Sequence, residues 1–431
     1  FRSTQKMFKS KKTYLMPIIG FSIIILIGAI LLSIPSINNI DMSFKDALYI
    51  STSGVTTVGF LRESLISQFN FLGQLIYAIL MEIGALGFII LISYFWSLTH
   101  KRINMSDALI INDSISGDNT GSIKEHSIFI GKFVWKVQFI GAILLSIRFI
   151  PMLGIGQGIW YSIFHSISAF SNTGVDLFGS AGIRAFVNDF YVQLVLIILM
   201  VLGSFGVFAI EDIKNTKKFS KMKLQTKIII VGSIIMLVIP TILFVLFEDI
   251  SIINGVFLSA ARSTGFDIID ISEFSQGSQV LLMIIMFIGC SPASTGSGIK
   301  IVTIAVILAT IVSTLRGKDD TVIFWRKIPN YTVRMAFTIF TIFAFVMFIG
   351  MIAFMSYTDL ELNDSMFYTF SSVTNAGFLT NDVNELDSIG RTILMTLSFV
   401  GRIGPLSLVL MFVNKDNKEN FMEYPEEKVI L

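Results

Sequence analysis

Long apolar runs alternate along the chain with short polar or charged stretches. Residues 14–35, 190–210, 228–247 and 335–358 carry no charged side chain at all. A helix of ~20 apolar residues crosses the hydrocarbon core of a bilayer. Further apolar runs near 69–97, 137–153, 279–314 and 388–413 bring the predicted spans to eight. Between the members of each successive pair lies a shorter, half-apolar segment, near 43–54, 157–170, 250–262 and 363–374. These segments are too short to cross and suit helices that enter the membrane and turn back.

Composition agrees: 53% of residues are hydrophobic and 14% charged, against roughly 25% charged in a soluble domain. The chain reads as an all-α polytopic membrane protein. A net charge of +2 suggests no nucleic-acid partner, and the single cysteine, Cys290, excludes an intrachain disulfide. No His/Cys cluster for zinc is present. A basic N-terminus precedes the run 14–35, as in a signal peptide, but the run is too long for one and ends at Pro35, so a retained first span is expected. The sequence begins at Phe1, so residues upstream are expected to be missing or removed.

The short segments end alike. SSVTNAGF (371–378) aligns on Gly377 with STSGVTTVGF on Gly59, SISAFSNTGV on Gly174 and LSAARSTGF on Gly265. A serine stands six residues before each glycine: Ser53, Ser168, Ser259 and Ser371. Downstream, G-x-x-G pairs recur at Gly84/Gly87, Gly203/Gly206 and Gly401/Gly404, with Gly289 and Pro292 in the third copy. The first members follow the aligned glycines by 25, 29, 24 and 24 residues. An internal repeat at matched offsets means repeated supersecondary units. The expected organisation is a cytoplasmic N-terminus (1–13), repeat 1 (14–97), linker (98–136), repeat 2 (137–210), linker (211–227), repeat 3 with a broken second span (228–314), linker (315–334), repeat 4 (335–413) and a cytoplasmic C-terminus (414–431). Segments 1–13, 97–136, 211–227, 315–334 and 412–431 hold 24 of the 32 Lys and Arg residues, which places them inside, with both termini.

Non-helical backbone at membrane depth must be buried in protein or line water. Four such stretches meet this condition by converging, pseudo-fourfold, on one central pore ringed by their carbonyls. Carbonyl rings replace the hydration shell of a permeating monovalent cation. Glycine frees the backbone for the required turn, and helix C-terminal ends pointing inward favour a cation. For one glycine, helix packing would be explanation enough; four polar stretches, each between two spans, point to a pore. The filter residues expected are Thr56, Thr57, Val58 and Gly59; Ser171, Asn172, Thr173 and Gly174; Arg262, Ser263, Thr264 and Gly265; and Thr374, Asn375, Ala376 and Gly377. For the G-x-x-G pairs, close helix packing is the preferred reading over gating hinges.

Four span–pore loop–span units with one glycine per filter resemble the Trk/Ktr/HKT superfamily of potassium transport proteins. ARSTGF at 261–266, GCSPASTGSGIK at 289–300 and GRIGPL at 401–406 look like the membrane subunit of the bacterial Ktr system. TrkH-type subunits usually carry two extra N-terminal helices, which favours Ktr here. The resemblance covers nearly the whole chain. It implies potassium as the conducted ion, sodium as a candidate activator, a homodimer with one pore per protomer, and a cytoplasmic ring of nucleotide-binding, KtrA-type regulatory subunits. The links 211–227 and 315–334 are candidate docking surfaces. Two departures bear on selectivity. Thr57 and Ser263 stand where two units carry Asn, and unit one has an extra Gly54. Plant relatives with serine at the first filter glycine tend to favour sodium; Gly59 at that position favours potassium.

The third unit's second span is interrupted by Gly289, Cys290, Ser291, Pro292, Ala293, Ser294, Thr295, Gly296, Ser297 and Gly298. Such a stretch does not hold a straight helix. A kink is the plainer reading; a loop projecting under the filter, contacting Arg402 as a gate, is the sharper one. Ionisable residues inside spans are functional candidates. Arg402 is assigned to the gate, Glu82 to partnering a basic residue, and Lys300 to a boundary or functional charge. Arg262 is expected behind the filter, paired with an acidic residue. Asp176 and Asp267 are expected at the outer mouth, and His126 and His165 have no assigned role. The alternatives are a sodium or sodium/potassium transporter of the same superfamily, or an alternating-access transporter built from inverted repeats. A membrane enzyme would need more convergent acid–base groups, and no nucleotide-binding motif occurs in this chain.

Overall fold

The computed structural model describes residues 11–87, 123–380 and 386–404. The remainder of the predicted N-terminus, the end of repeat 1 after residue 87, linker residues 98–122, Pro405 and Leu406, the end of repeat 4 and the 414–431 segment lie outside the described residues.

Helices account for nearly all the regular structure. The α-helices of ten or more residues are, in chain order, α1 (Lys11–Leu32), α2 (Phe44–Thr56), α3 (Phe71–Leu86), α4 (Ile123–Leu153), α5 (Ile155–Phe170), α6 (Phe190–Ser204), α7 (Val207–Thr216), α8 (Leu224–Glu248), α9 (Ile252–Ala261), α10 (Gln276–Phe287), α11 (Ile301–Leu315), α12 (Asn330–Tyr357), α13 (Leu362–Thr374) and α14 (Ser388–Ile403). One hairpin, β1 (Val322–Ile323) with β2 (Arg326–Lys327), precedes α12. Among the described residues, three helices are long and apolar enough to cross a membrane alone: Ile128–Leu153, Leu224–Glu248 and Asn330–Tyr357.

Burial runs opposite to that of a soluble protein. The long helices expose Ile23, Leu26, Ile30, Phe139, Ile239, Phe345 and Phe348, and only 22% of the best apolar window of α12 is buried. An apolar surface this extensive on a water-soluble monomer would be an aggregation site; facing acyl chains it costs nothing. The interior holds the short helices. On α2, Ile50 through Thr56 are all buried, and four of those seven are Ser or Thr. Three of those hydroxyls have backbone acceptors: Thr52 donates to the Leu48 carbonyl at 2.7 Å, Thr56 to the Thr52 carbonyl at 2.8 Å and Ser51 to the Ile25 carbonyl of α1 at 2.7 Å.

Helix starts are set by side chains that accept from otherwise orphan amides. Ser43 caps α2 through the Asp46 amide, Ser251 caps α9 through Asn254, and Asp387 caps α14 through Gly390. In the first, second and fourth units the short helix packs on both longer neighbours of its own unit; in the third, α9 packs on α8. The later helix of each unit also packs on the short helix of the next: α3 on α5, α6 on α9, α10 on α13 and α14 on α2. The last of these joins the fourth unit back to the first.

Candidate functional site: a backbone ring and the loop beneath it

Each short helix must end where its polar stretch begins, and three end identically. Thr57, Asn172 and Asn375 adopt left-handed φ of 59°, 55° and 50°. The amide of the following residue bonds back to the conserved-register serine: Val58 to Ser53 at 3.1 Å, Thr173 to Ser168 at 3.1 Å and Ala376 to Ser371 at 2.9 Å. This is the Schellman arrangement. Asn is the non-glycine residue that best tolerates the left-handed region, which accounts for two of the three. In the third unit Ser263 is not left-handed, and both Thr264 and Gly265 donate to Ala261, at 2.7 and 3.0 Å.

The chain then turns at Gly59, Gly174, Gly265 and Gly377, with φ of 79°, 73°, 79° and 86°. A side chain is excluded at each for a second reason. A Cβ on Gly59 would strike the Thr173 carbonyl, one on Gly174 the Thr264 carbonyl, one on Gly265 the Ala376 carbonyl, and one on Gly377 the Val58 carbonyl. The four contacts close a cycle through all four units. Thr56, Thr57, Val58, Ser171, Asn172, Thr173, Ser263, Thr264, Thr374, Asn375 and Ala376 are all buried around it.

The downstream glycine pairs occupy one register. A Cβ on Gly84, Gly203 or Gly401 would overlap the carbonyl of Val55, Phe170 or Val373, in each case four residues before the ring glycine. The second glycines, Gly87, Gly206 and Gly404, have φ of 75°, 85° and 89° and end their helices or open the next.

Between α10 and α11 the backbone leaves the helix at Ile288 and is pinched shut. Gly289 donates to Ile299 at 2.9 Å, Cys290 to Ser297 at 3.3 Å and Ile301 to Cys290 at 3.2 Å. The loop docks on the second unit, where Ser291 donates to the Ser204 carbonyl and Thr295 to the Gly203 carbonyl, both at 3.1 Å, and the Val207 amide donates to Ala293 at 3.2 Å. Asn172 joins loop and ring. Its nitrogen donates to Thr295 Oγ1 at 2.6 Å, while its oxygen accepts from Thr264 Oγ1 at 2.7 Å and from Ser204 and Ser263 Oγ, each at 3.1 Å.

Arg402 reaches this loop from the fourth unit. Its Nη1 donates to the Thr295 carbonyl at 2.7 Å and to Ser297 Oγ at 3.1 Å, and Nη2 donates to the Gly84 carbonyl of the first unit. One guanidinium thus bridges three units, with its charge spread over neutral oxygens. The Asn375 amide, oriented to satisfy its neighbours, accepts from Ser297 Oγ and the Arg402 amide at 3.1 Å and donates to the Ser372 and Ser398 carbonyls at 3.0 Å. Lys300 Nζ caps the Gly296 carbonyl at 2.8 Å.

Two expectations need correction. Arg262 is buried and points away from a carboxylate: Nη1 donates to the Ser259 carbonyl at 3.0 Å, and no described acidic residue pairs with it. It sits at the C-terminal end of α9, where the exposed carbonyl dipoles favour a cation without an ion pair. Among the described residues Glu82 meets no basic residue either; Gln138 of α4 donates to its Oε2 at 2.7 Å. Asp267 and Asp270 both pair with Arg184. Asp176 receives the Phe178 amide at 2.8 Å. Burial holds its carboxyl up at about 6, offset in part by the Phe178 and Ile183 amides. A cavity of about 810 Å³, lined by Gly59, Gly174, Gly377, Asp176, Arg62 and Glu63 among others, opens outward from the ring. His165, without a role in the sequence, is buried and holds the backbone past Gly174: Nδ1 faces the Tyr161 carbonyl at 2.7 Å and Nε2 accepts from the Leu177 amide at 3.3 Å. No spacing pattern in the sequence marks it.

The TrkH cation transport protein family model matches residues 2–424. Over 424 residues the chain is 30% identical to Ktr system potassium uptake protein B of Bacillus subtilis, covering 95% of each protein. It is 29% identical to potassium/sodium uptake protein NtpJ of Enterococcus hirae, covering 96% of this chain and 95% of that one. The crystal structure of the potassium transporter TrkH from Vibrio parahaemolyticus superposes with a TM-score of 0.74 at 17% identity, covering 95% of this chain and 86% of that one.

Proposed function

Because this chain belongs to the TrkH family of cation transport proteins, we propose that it takes up potassium across the cell membrane through a selectivity filter made by the four glycine stretches. The observation that carries this reading is the closed cycle of backbone contacts from Gly59 through Gly174 and Gly265 to Gly377 and back to Val58. Four polar segments that enter the membrane from one side and meet on one axis bury their backbone polar groups against each other, and their carbonyls form a ring for a dehydrated cation. The pseudo-fourfold arrangement of eight spans and four re-entrant helices belongs to this proposal, as does the assignment of the filter to the sixteen residues ending at the four glycines. The relatives named for potassium and for potassium/sodium uptake support potassium as the main ion, with sodium as a second ion or activator.

The 289–298 loop serves as the gate, with Arg402 as its latch. The guanidinium holds two oxygens of the loop and the Gly84 carbonyl together, and a fixed positive charge under a cation filter opposes passage. A cytoplasmic ring of regulatory subunits, docked on the 211–227 and 315–334 links of a homodimer, would release the latch. That assembly is inferred from the Ktr relatives, and both termini are placed inside by the distribution of Lys and Arg.

The test is ion flux through the purified chain in liposomes without any regulator. Wild type is expected to be slow, and Arg402→Ala or deletion of residues 292–296 to raise flux several-fold. Arg402→Lys is expected to behave like the alanine variant, since an ammonium lacks the planar fork that holds the three oxygens together. Flux unchanged by all three variants rules out the gate.

A further inference from the structure

We propose that the groove between α8, α11 and the β1–β2 hairpin is a binding site for an anionic phospholipid. The groove has a volume of about 640 Å³, within the roughly 300–1,000 Å³ of small-ligand sites. Its length is apolar, lined by Ile235 on α8 and by Leu308 and Val312 on α11. Those three side chains are exposed on the face that carries the spans' other apolar residues, so this part of the groove opens toward hydrocarbon. Its far end is not apolar: Arg316 and Lys318 close it. Both are exposed, and among the described residues neither forms an ion pair. The nearby carboxylates do not neutralise them. Asp320 is held by Lys327 at 2.5 Å, leaving Asp319 against two cations. An acyl-length apolar track that ends in two unpaired cations complements one kind of molecule, a lipid with a negatively charged headgroup.

The hairpin adds a third, independent feature. Its turn is Phe324-Trp325, at φ of 47° and 63°, a conformation for which Asn and Gly are the ordinary choices. Two large aromatic residues hold it instead, and Trp325 is 99% exposed. Full exposure to water is a poor place for an indole; the headgroup layer, where one end is apolar and the other wet, is its preferred setting. The hairpin is fixed in place. Ile328 donates to the Thr321 carbonyl at 2.8 Å, Thr321 and Thr310 hydroxyls lie 3.0 Å apart, and the Phe324 ring meets Phe219 edge-on at 6.0 Å. It therefore forms a built wall, with Trp325 lining the same groove as Arg316 and Lys318.

The test is lipid titration of the detergent-purified chain, read by native mass spectrometry, with phosphatidylglycerol and phosphatidylcholine of identical acyl chains. Wild type is expected to retain phosphatidylglycerol in preference. Each basic side chain contributes ~1 kcal/mol at an anionic surface, about fivefold in affinity, so Arg316→Gln with Lys318→Gln together should lower phosphatidylglycerol affinity by roughly twentyfold or more and leave phosphatidylcholine unchanged. A second reading uses the intact protein: phosphatidylglycerol brominated on its chains should quench the emission lost in Trp325→Phe, and brominated phosphatidylcholine much less. Equal retention of the two lipids by wild type overturns the proposal. So does phosphatidylglycerol affinity unchanged in the double variant, or a double variant that loses only association with a regulatory protein.

Discussion

The Asn172 side-chain oxygen accepts three hydroxyl hydrogen bonds, from Ser204, Ser263 and Thr264, while its nitrogen holds Thr295. All five groups are buried. Asn172→Ala strips the hydroxyls of their acceptor, at about 1–3 kcal/mol for each buried donor left unmade. It also removes the residue type suited to φ of 55°. Thermal unfolding in detergent should show a clearly lowered midpoint, and Asn172→Asp, which keeps the acceptor and loses only the Thr295 donor, should recover part of it. Equal stability of the alanine variant and wild type contradicts the account of this residue. Asp176 allows a test by pH. Its carboxyl is held at about 6 by burial, so it is ionised at about pH 7.5 and mostly neutral at about pH 5. Removing a negative charge from the outer cavity lowers the local cation concentration. Uptake at low cation concentration should therefore fall as external pH drops through 6, and Asp176→Asn should be slower at high pH and flatter across the range. A variant with the full wild-type pH profile excludes Asp176 as the source.

Each of the four short helices is followed by a glycine that admits no side chain, and in three units the next helix approaches through another. Gly84, Gly203 and Gly401 all sit against a carbonyl four residues before their ring glycine. Gly401→Val should therefore push α14 off Val373 and loosen the ring from behind. The expected result is a protein that still assembles but discriminates cations less well, read as the ratio of rubidium to sodium uptake. An unchanged ratio separates this packing from selectivity. Much of this layer could be read from the sequence, because a repeated serine–glycine register and a second glycine at matched offsets report one repeated geometry. Other parts could not. The left-handed caps at Thr57, Asn172 and Asn375 depend on how each helix is terminated, and Thr does not advertise that conformation as Gly does. Arg262 appeared to demand a carboxylate because the free energy of a helix's C-terminal carbonyls is invisible in a one-dimensional pattern. Glu82 found Gln138 rather than a base because partner choice across helices depends on which faces meet. The hairpin at 322–327 lay inside a link read only for its charge, since an aromatic pair in a two-residue turn carries no turn signal.

At the scale of the molecule, four units close on themselves. α14 packs on α2 as α3 does on α5, and the ring of glycine–carbonyl contacts follows the same order. The third unit breaks the symmetry: its helix end lacks the left-handed cap, and its second span opens into the loop that lies under Ser263 and is held by Arg402 and Asn172. In the function proposed above, a ring from four different sequences would keep the geometry that selects an ion while freeing one quadrant to carry a gate. The proposed function requires the ring to act as a cation filter. Rubidium uptake into liposomes holding the purified Arg402→Ala chain, competed in turn by external K⁺, Rb⁺, Na⁺ and Li⁺, tests that most directly. Strong competition by K⁺ and Rb⁺, weaker competition by Na⁺ and none by Li⁺ is predicted. No protein-dependent uptake, or equal competition by all four ions, would contradict it.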